Sequence, residues 1–305
     1  MKDKKTLAGY AAIVAAGIIL AILHSGLILG AVSAFAGNFC LSFKHFLQGI
    51  PFPHQETHSL VTALLTGDRG GVDRHIIESF RRSGASHILA LSGLHLGFIY
   101  MLLRASTLPL GNYPACRAFR YATVCCTCIF YTLMTGASPS AVRAVLFILI
   151  RETVTFFPER HSSGIRLFVT AILIQICADP AVVKSAGFQL SYSAVLGILL
   201  FSKPLQDIFP GGKIPGIMKK IWDNMALTLS CQIFTAPLCF YYFHSLPRYF
   251  LLTNLLAVPL TSCIIFLAVL TAALSFCGIC PTILIKACDF SVQALIYLLG
   301  KISSL

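Results

Sequence analysis

From Ser86 onward the sequence is a series of apolar runs, each close to the length that crosses a bilayer, joined by short turns. A helix needs roughly 20 apolar residues to cross the hydrocarbon core. By that measure the spans fall at about 86–103, 119–136, 141–157, 165–179, 185–202, 222–243, 249–275 and 281–300. A further run begins behind the basic stretch Met1–Lys5 and extends from Leu7 past Leu23 toward Ala36. It is long for the core of a signal peptide, and many spans follow it, so it reads as a first transmembrane helix. Charged residues make up only 11% of the chain, against roughly 25% in soluble domains. That is too little charge to coat a water-facing surface, which excludes a soluble globular enzyme. Disorder needs low hydrophobicity, and the mean hydropathy here is +0.82. The expected fold is all-α: a polytopic membrane protein of about nine transmembrane helices, because a helix satisfies its own backbone in lipid.

Residues 37–84 break the pattern. Phe39, Leu41, Phe43, Phe46 and Leu47 are interleaved with Lys44, His45 and Gln48, and Pro51-Phe52-Pro53 ends that piece. A short apolar helix near Leu60–Leu65 runs into Gly67-Asp68-Arg69-Gly70-Gly71. The next helix, Asp73–Ser83, is amphipathic, with Ile76, Ile77 and Phe80 opposite Arg74, Glu78, Arg81 and Arg82. None is long enough to span, and helices of this kind lie in the membrane interface. The organisation expected is therefore 1–36, an N-terminal transmembrane helix; 37–84, interfacial amphipathic helices; and 85–305, a helical transmembrane bundle.

The formal net charge is +12, from 23 Lys+Arg against 11 Asp+Glu. In a membrane protein such an excess collects in cytoplasmic loops. With the N-terminus inside and the spans alternating, the short outer loops keep only Arg143, Lys184, Arg248 and Lys301. The anomaly is the 37–84 stretch, which is basic on the outer side. The 12 cysteines sit mostly in apolar runs and read as small packing residues. Cys277 and Cys280 form a single CxxC with no second pair to complete a zinc set.

Polar groups within apolar spans are costly, so they are the functional candidates. His87, Ser92 and His95 lie in one run, with Ser92 and His95 on one helix face and Gly93 and Gly97 spaced for close helix approach. In Thr135-Gly136-Ala137-Ser138-Pro139-Ser140-Ala141-Val142-Arg143, Ser138 or Ser140 caps the next helix, with Pro139 in its first turn. An Arg one turn into a helix makes a good anion site. Gln189, Ser191 and Ser193 follow Asp179-Pro180, while Gln232 and Pro237 sit in one span and Asn254 and Pro259 in the next. Span-breaking prolines expose backbone carbonyls along transport paths. The structural alternative for each is a packed or capped helix, with Arg143 reaching to the interface. There is no P-loop, HExxH or GxSxG. His54 and His58 have metal-ligand spacing around Glu56 but adjoin a proline turn, so no metal site and no cofactor is expected.

The string GDRGGVDRHIIESFRRSGASHILALSGLHLG, Gly67–Gly97, resembles the hallmark of the ComEC-type competence proteins, the membrane channels that internalise DNA in natural transformation. The similarity continues, in order, through Thr135–Ala144, Asp179–Gly197 and the series Gln232, Pro237, Phe243, Asn254, Pro259. The resemblance implies a polytopic bundle in the bacterial inner membrane that passes single-stranded DNA to the cytoplasm without catalysis of its own. It implies that His87, Ser92, His95, Ser138, Arg143, Gln189, Ser191, Gln232 and Asn254 are core or pathway residues. Lys44, Arg69, Arg74, Arg81 and Arg82 would then collect phosphates on the outer interface.

Two departures narrow the analogy. Only about 50 residues separate the first span from His87, too few for the OB-like domain of many family members, and no HxHxDH motif of their nuclease domain is found. Nuclease activity is therefore not carried over, and a separate DNA receptor, nuclease and cytoplasmic helicase would be the partners, with homo-oligomerisation open. Two other functions fit the same polar spans: a small-solute transporter, or an intramembrane serine hydrolase using Ser138, although Pro139 stands where such enzymes have Gly.

Overall fold

The computed structural model describes residues 29–89, 93–111, 113–156, 163–209, 216–244 and 249–304. Among them only helices occur. They are α1 (Leu29–Gln48), α2 (Gln55–Thr66), α3 (Arg74–Ser83), α4 (Ser86–Leu89), α5 (Gly93–Thr107), α6 (Pro114–Met134), α7 (Pro139–Phe156), α8 (Gly164–Ala178), α9 (Ala186–Gln206), α10 (Gly216–Phe243), α11 (Phe250–Phe276) and α12 (Thr282–Ser303). Local chemistry sets several of the ends. Pro114 and Pro139 open α6 and α7, where a missing N–H costs nothing. Ser163 and Ser185 cap α8 and α9 by accepting the N–H of Arg166 and Phe188. Gly84, at φ 86°, ends α3, and the Ala85 N–H then reaches the Phe80 carbonyl at 2.8 Å.

Four helices, α9 to α12, are long and apolar enough to cross a membrane, and α8 is a shorter apolar helix. Their surfaces face outward in the sense lipid requires. On α12, Ile283 and Phe290 are 83% and 75% exposed, while Leu295 and Leu299 are fully buried. The chain is thus an all-helical membrane protein. The expected number of spans was about nine. The first lies largely outside the described residues. Of the run expected at 86–103, residues 86–89 and 93–103 are described, and both pieces are helical. The helices α6 and α7 are long but carry Arg117, Arg120, Arg143, Arg151 and Glu152, and most of these charges are bonded inside the bundle.

One other expectation is corrected. Pro237 and Pro259 do not break their helices, since α10 and α11 run through them without interruption. A proline removes one backbone hydrogen bond, and flanking turns of a long apolar helix hold the rest. The helix α1 runs continuously across residues 36 and 37.

The largest core joins segments distant in sequence. Leu60, Val61, Leu64, Ile76, Phe80, Ile88 and Leu89 pack with Ile264, Ile265, Cys288, Val292, Leu295 and Leu299. So α2 is enclosed by α11 and α12 and is not a layer apart, while α3 turns one face to the core and its charges to the outside. A second cluster joins α5, α6 and α7 through Leu96, Val124, Cys128 and Val145, and a third joins α7 to α8 through Leu146, Ala171 and Ile174.

The tightest crossing is between α9 and α10. A Cβ at Gly197 would overlap the Ser230 carbonyl oxygen and lie 3.3 Å from the Phe234 ring. Ser230 is fully buried, with its hydroxyl turned back to the Ala226 carbonyl at 2.6 Å. Only glycine permits that approach. Gly197→Ala should therefore destabilise the protein by about 1–3 kcal/mol, seen as a lower thermal midpoint in detergent micelles. Gly300→Ala, where a Cβ meets nothing within 4 Å, should leave the midpoint unchanged.

Candidate functional site

The loop Gly67–Gly71 follows α2. Asp68 organises it by accepting the Gly70 N–H at 2.9 Å and the Lys44 ammonium at 2.7 Å. This pairing holds the Asp68 carboxyl below, and the Lys44 amine above, their ordinary values. Arg69 donates from Nε to the Leu89 carbonyl at 3.1 Å, at the end of α4. Lys44 and Arg69 are thus committed to partners within the protein. On α3, Arg74, Arg81 and Arg82 are exposed. Arg81 and Arg82 both bind Glu78, at 2.8–2.9 Å, and these two guanidinium groups push its carboxyl down to about 2.

The four sequence strings converge only in part, and their meeting point is Arg143. It sits one turn into α7, behind a corner in which Ala137 has φ 47° and Ser138 accepts the Ala141 N–H at 3.3 Å. The two hydroxyls of Ser138 and Ser140 lie 3.2 Å apart, so Ser138 serves as a helix cap. Arg143 Nη1 donates to the Ser191 carbonyl on α9 at 2.5 Å. Its guanidinium carbon lies 5.8 Å from the centre of the Phe147 ring and 5.9 Å from that of Tyr192. Tyr192 in turn donates to Gln175 on α8 at 2.9 Å. A Cβ on Gly93, the first residue of α5, would stand 3.6 Å from Arg143 Nη2. Gly93 therefore stands against the guanidinium. Arg143 Nε is buried without a hydrogen-bond partner, and no carboxylate pairs with Arg143 among the described residues. The arrangement is a cation of permanent charge, with two aromatic faces against it and Gly93 beside it. The guanidinium is the part that favours an anion.

The remaining candidates are scattered. His95 is buried on α5, and Ser92 lies outside the described residues. His87 on α4 bonds the Gly84 carbonyl through Nδ1 at 3.2 Å. Gln189 joins α9 to α10 by accepting the Tyr242 hydroxyl at 2.9 Å. Gln232 accepts only from Thr235 within α10, at 3.5 Å. Asn254 Oδ1 is buried on α11 without a hydrogen-bond partner. No group of three or more His, Cys, Asp or Glu side chains that could hold a metal ion occurs among the described residues.

Two polar clusters escaped the sequence reading. Glu152, 5% exposed, accepts from Tyr100 at 2.5 Å and from Arg104 at 2.6 Å, which ties α7 to α5. Asp289 binds His54 and Thr57. The signal for both was present, since each is an acid inside a long apolar run.

A family model described as "Competence protein" matches residues 64–305. The ComE operon protein 3 of Bacillus subtilis (strain 168) is 26% identical over 225 residues, covering 69% of this chain and 26% of that protein. The uncharacterized protein YcaI of Escherichia coli (strain K12) is 25% identical over 240 residues, 77% of this chain and 31% of that one. Recombination protein 2 of Haemophilus influenzae is 26% identical over 216 residues, 67% and 26%. The chain spans between a quarter and a third of the length of these curated relatives. No solved structure matches it.

The Glu152 cluster yields a stability prediction. Glu152→Ala removes the acceptor of the Tyr100 hydroxyl and the counter-ion of Arg104, which keeps only its bond to Tyr100, so thermal unfolding in micelles should show a loss of about 2–4 kcal/mol. Glu152→Gln, which keeps one acceptor, should lose less.

Proposed function

Because the chain belongs to the competence protein family, we propose that it is a channel component for single-stranded DNA in natural transformation. In this reading it is a multi-pass protein of the bacterial inner membrane and performs no catalysis of its own. The observation that carries the reading is Arg143. A half-buried guanidinium with no carboxylate beside it is costly. Arg143 lies where the first three family strings meet, between the start of α5, α7 and the Ser191 carbonyl of α9. A passing phosphate would supply the missing negative charge, and the unbonded Nε would give it a donor.

The outer face of α3 fits the same passenger. Arg81 and Arg82 share Glu78 and Arg74 is exposed near Asp73, so three cations face two acids. The helix stays net positive and would attract a polyanion in a salt-dependent way. A separate receptor, nuclease and cytoplasmic helicase would supply capture, strand processing and pulling, and the working unit would be a homo-oligomer or a single chain in the lipid bilayer.

Uptake of labelled DNA in a deletion strain tests the reading. Loss of the gene should abolish uptake. Arg143→Ala should lower it at least tenfold, about the effect of losing one buried charged contact, with the protein still present in the membrane fraction. Arg143→Lys, which keeps the charge, should restore part of it. Uptake that persists in the deletion strain overturns the proposal, and a solute-flux phenotype without a DNA phenotype would favour a transporter.

A further inference from the structure

A second polar cluster lies away from Arg143, where the start of α2 meets α12. Asp289 is 6% exposed on α12. Both of its oxygens are used by the start of α2. Oδ1 accepts the Thr57 hydroxyl at 2.6 Å, and Oδ2 lies 2.9 Å from His54 Nδ1. His54 occupies the N-cap position, with extended backbone at φ −112° and ψ 137°, yet its side chain does not cap the helix. It turns to Asp289 instead. The two partners differ in access to water, for the His54 side chain is 57% exposed and that of Asp289 only 9%.

We infer that His54 and Asp289 form a protonation-dependent latch that fastens the start of α2 to α12. Neutral His54 offers Asp289 one ordinary hydrogen bond. Protonated His54 offers a charge-assisted bond and neutralises a buried carboxylate. The His54 imidazole is open to bulk solution, so protons can reach it while the carboxylate behind it stays enclosed. The grip of α12 on α2 therefore tightens as His54 gains its proton.

The surroundings leave His54 as the group that responds. His58, one turn further along α2, also feels Asp289, but burial lowers its pKa, and its ring is set edge-on against Phe52. Cys288 and Cys263 are the nearby thiols of α12 and α11. Glu56 is half-buried on α2, and Lys286 is exposed on α12. On α3, which packs on α12 through Ile76 and Phe80, Arg74, His75, Arg81 and Arg82 are exposed and Glu78 is held by Arg81 and Arg82. The latch bears on more than one contact, because α2 leads directly to the Gly67–Gly71 loop and to the Arg69 bond on α4. It does not depend on what passes through the protein.

The test is amide hydrogen exchange on the full chain in detergent micelles, at about pH 5.5 and about pH 8, corrected for intrinsic exchange. In the wild type, residues 55–66 should be several-fold better protected at the acid value, while α9 and α10 should not change. His54→Gln keeps a hydrogen-bond donor without the titration. It sits at an exposed position, and it should remove the pH dependence. Asp289→Asn should do the same. A wild type with no acid-side gain in protection, or a His54→Gln variant that keeps that gain, overturns the inference.

Discussion

A charge inside an apolar bundle must find a partner, and the placement of nearly every polar side chain in this protein follows from that constraint. Arg120 gives its guanidinium to the carbonyls of Thr107 and Gly111. Those are end-of-helix acceptors that α5 and the turn after it leave over. Arg117 takes the Phe156 carbonyl at the end of α7 in the same way. Glu152 holds Arg104 and Tyr100. These bonds are the reason that α6 and α7, too charged to cross a membrane as isolated helices, fit within the bundle.

Arg143, like Arg120, has an unbonded Nε and no carboxylate partner among the described residues. Its neighbours are a backbone carbonyl, two aromatic faces and Gly93. Cation–π contact and one carbonyl offset only part of the desolvation. What sets Arg143 apart is its place, where α5, α7 and α9 come together, each contributing from a different stretch of sequence.

How much of this was legible in the sequence depends on range. The bounds of α8 to α12 lie within a few residues of the expected runs, except at the start of α10 and the end of α9, because in a lipid-length helix the run is itself the signal. The fate of α2 was not legible. Length alone assigned it to the interface, whereas Leu60 and Leu64 are enclosed by helices some 200 residues away in the chain, and local pattern carries no record of such a partner. Pro237 and Pro259 misled for the opposite reason, since a strong local rule was overridden by the long helices around them. At the site, the cap made by Ser138 and the anion-favouring character of Arg143 could be read from spacing. The absence of a counter-ion could not, because it concerns what α5, α8 and α9 bring to the same place. Glu152 and Asp289 were visible as lone acids in apolar runs, but their partners, Arg104 and His54, became apparent only in three dimensions.

The family string Gly67–Gly97 gains a physical meaning from these contacts. Its first part, the loop after α2, is fixed by Asp68 and reaches α4 through Arg69. Its middle part, α3, is anchored in the core by Phe80 while Arg81 and Arg82 stay outside. Its last part begins α5 at Gly93, against Arg143. One continuous stretch thus links an exposed basic face, a core shared with α11 and α12, and the unbalanced guanidinium within the bundle. The core that α2 and α3 share with α11 and α12 is therefore more than filling, because it holds the basic face of α3 at the surface.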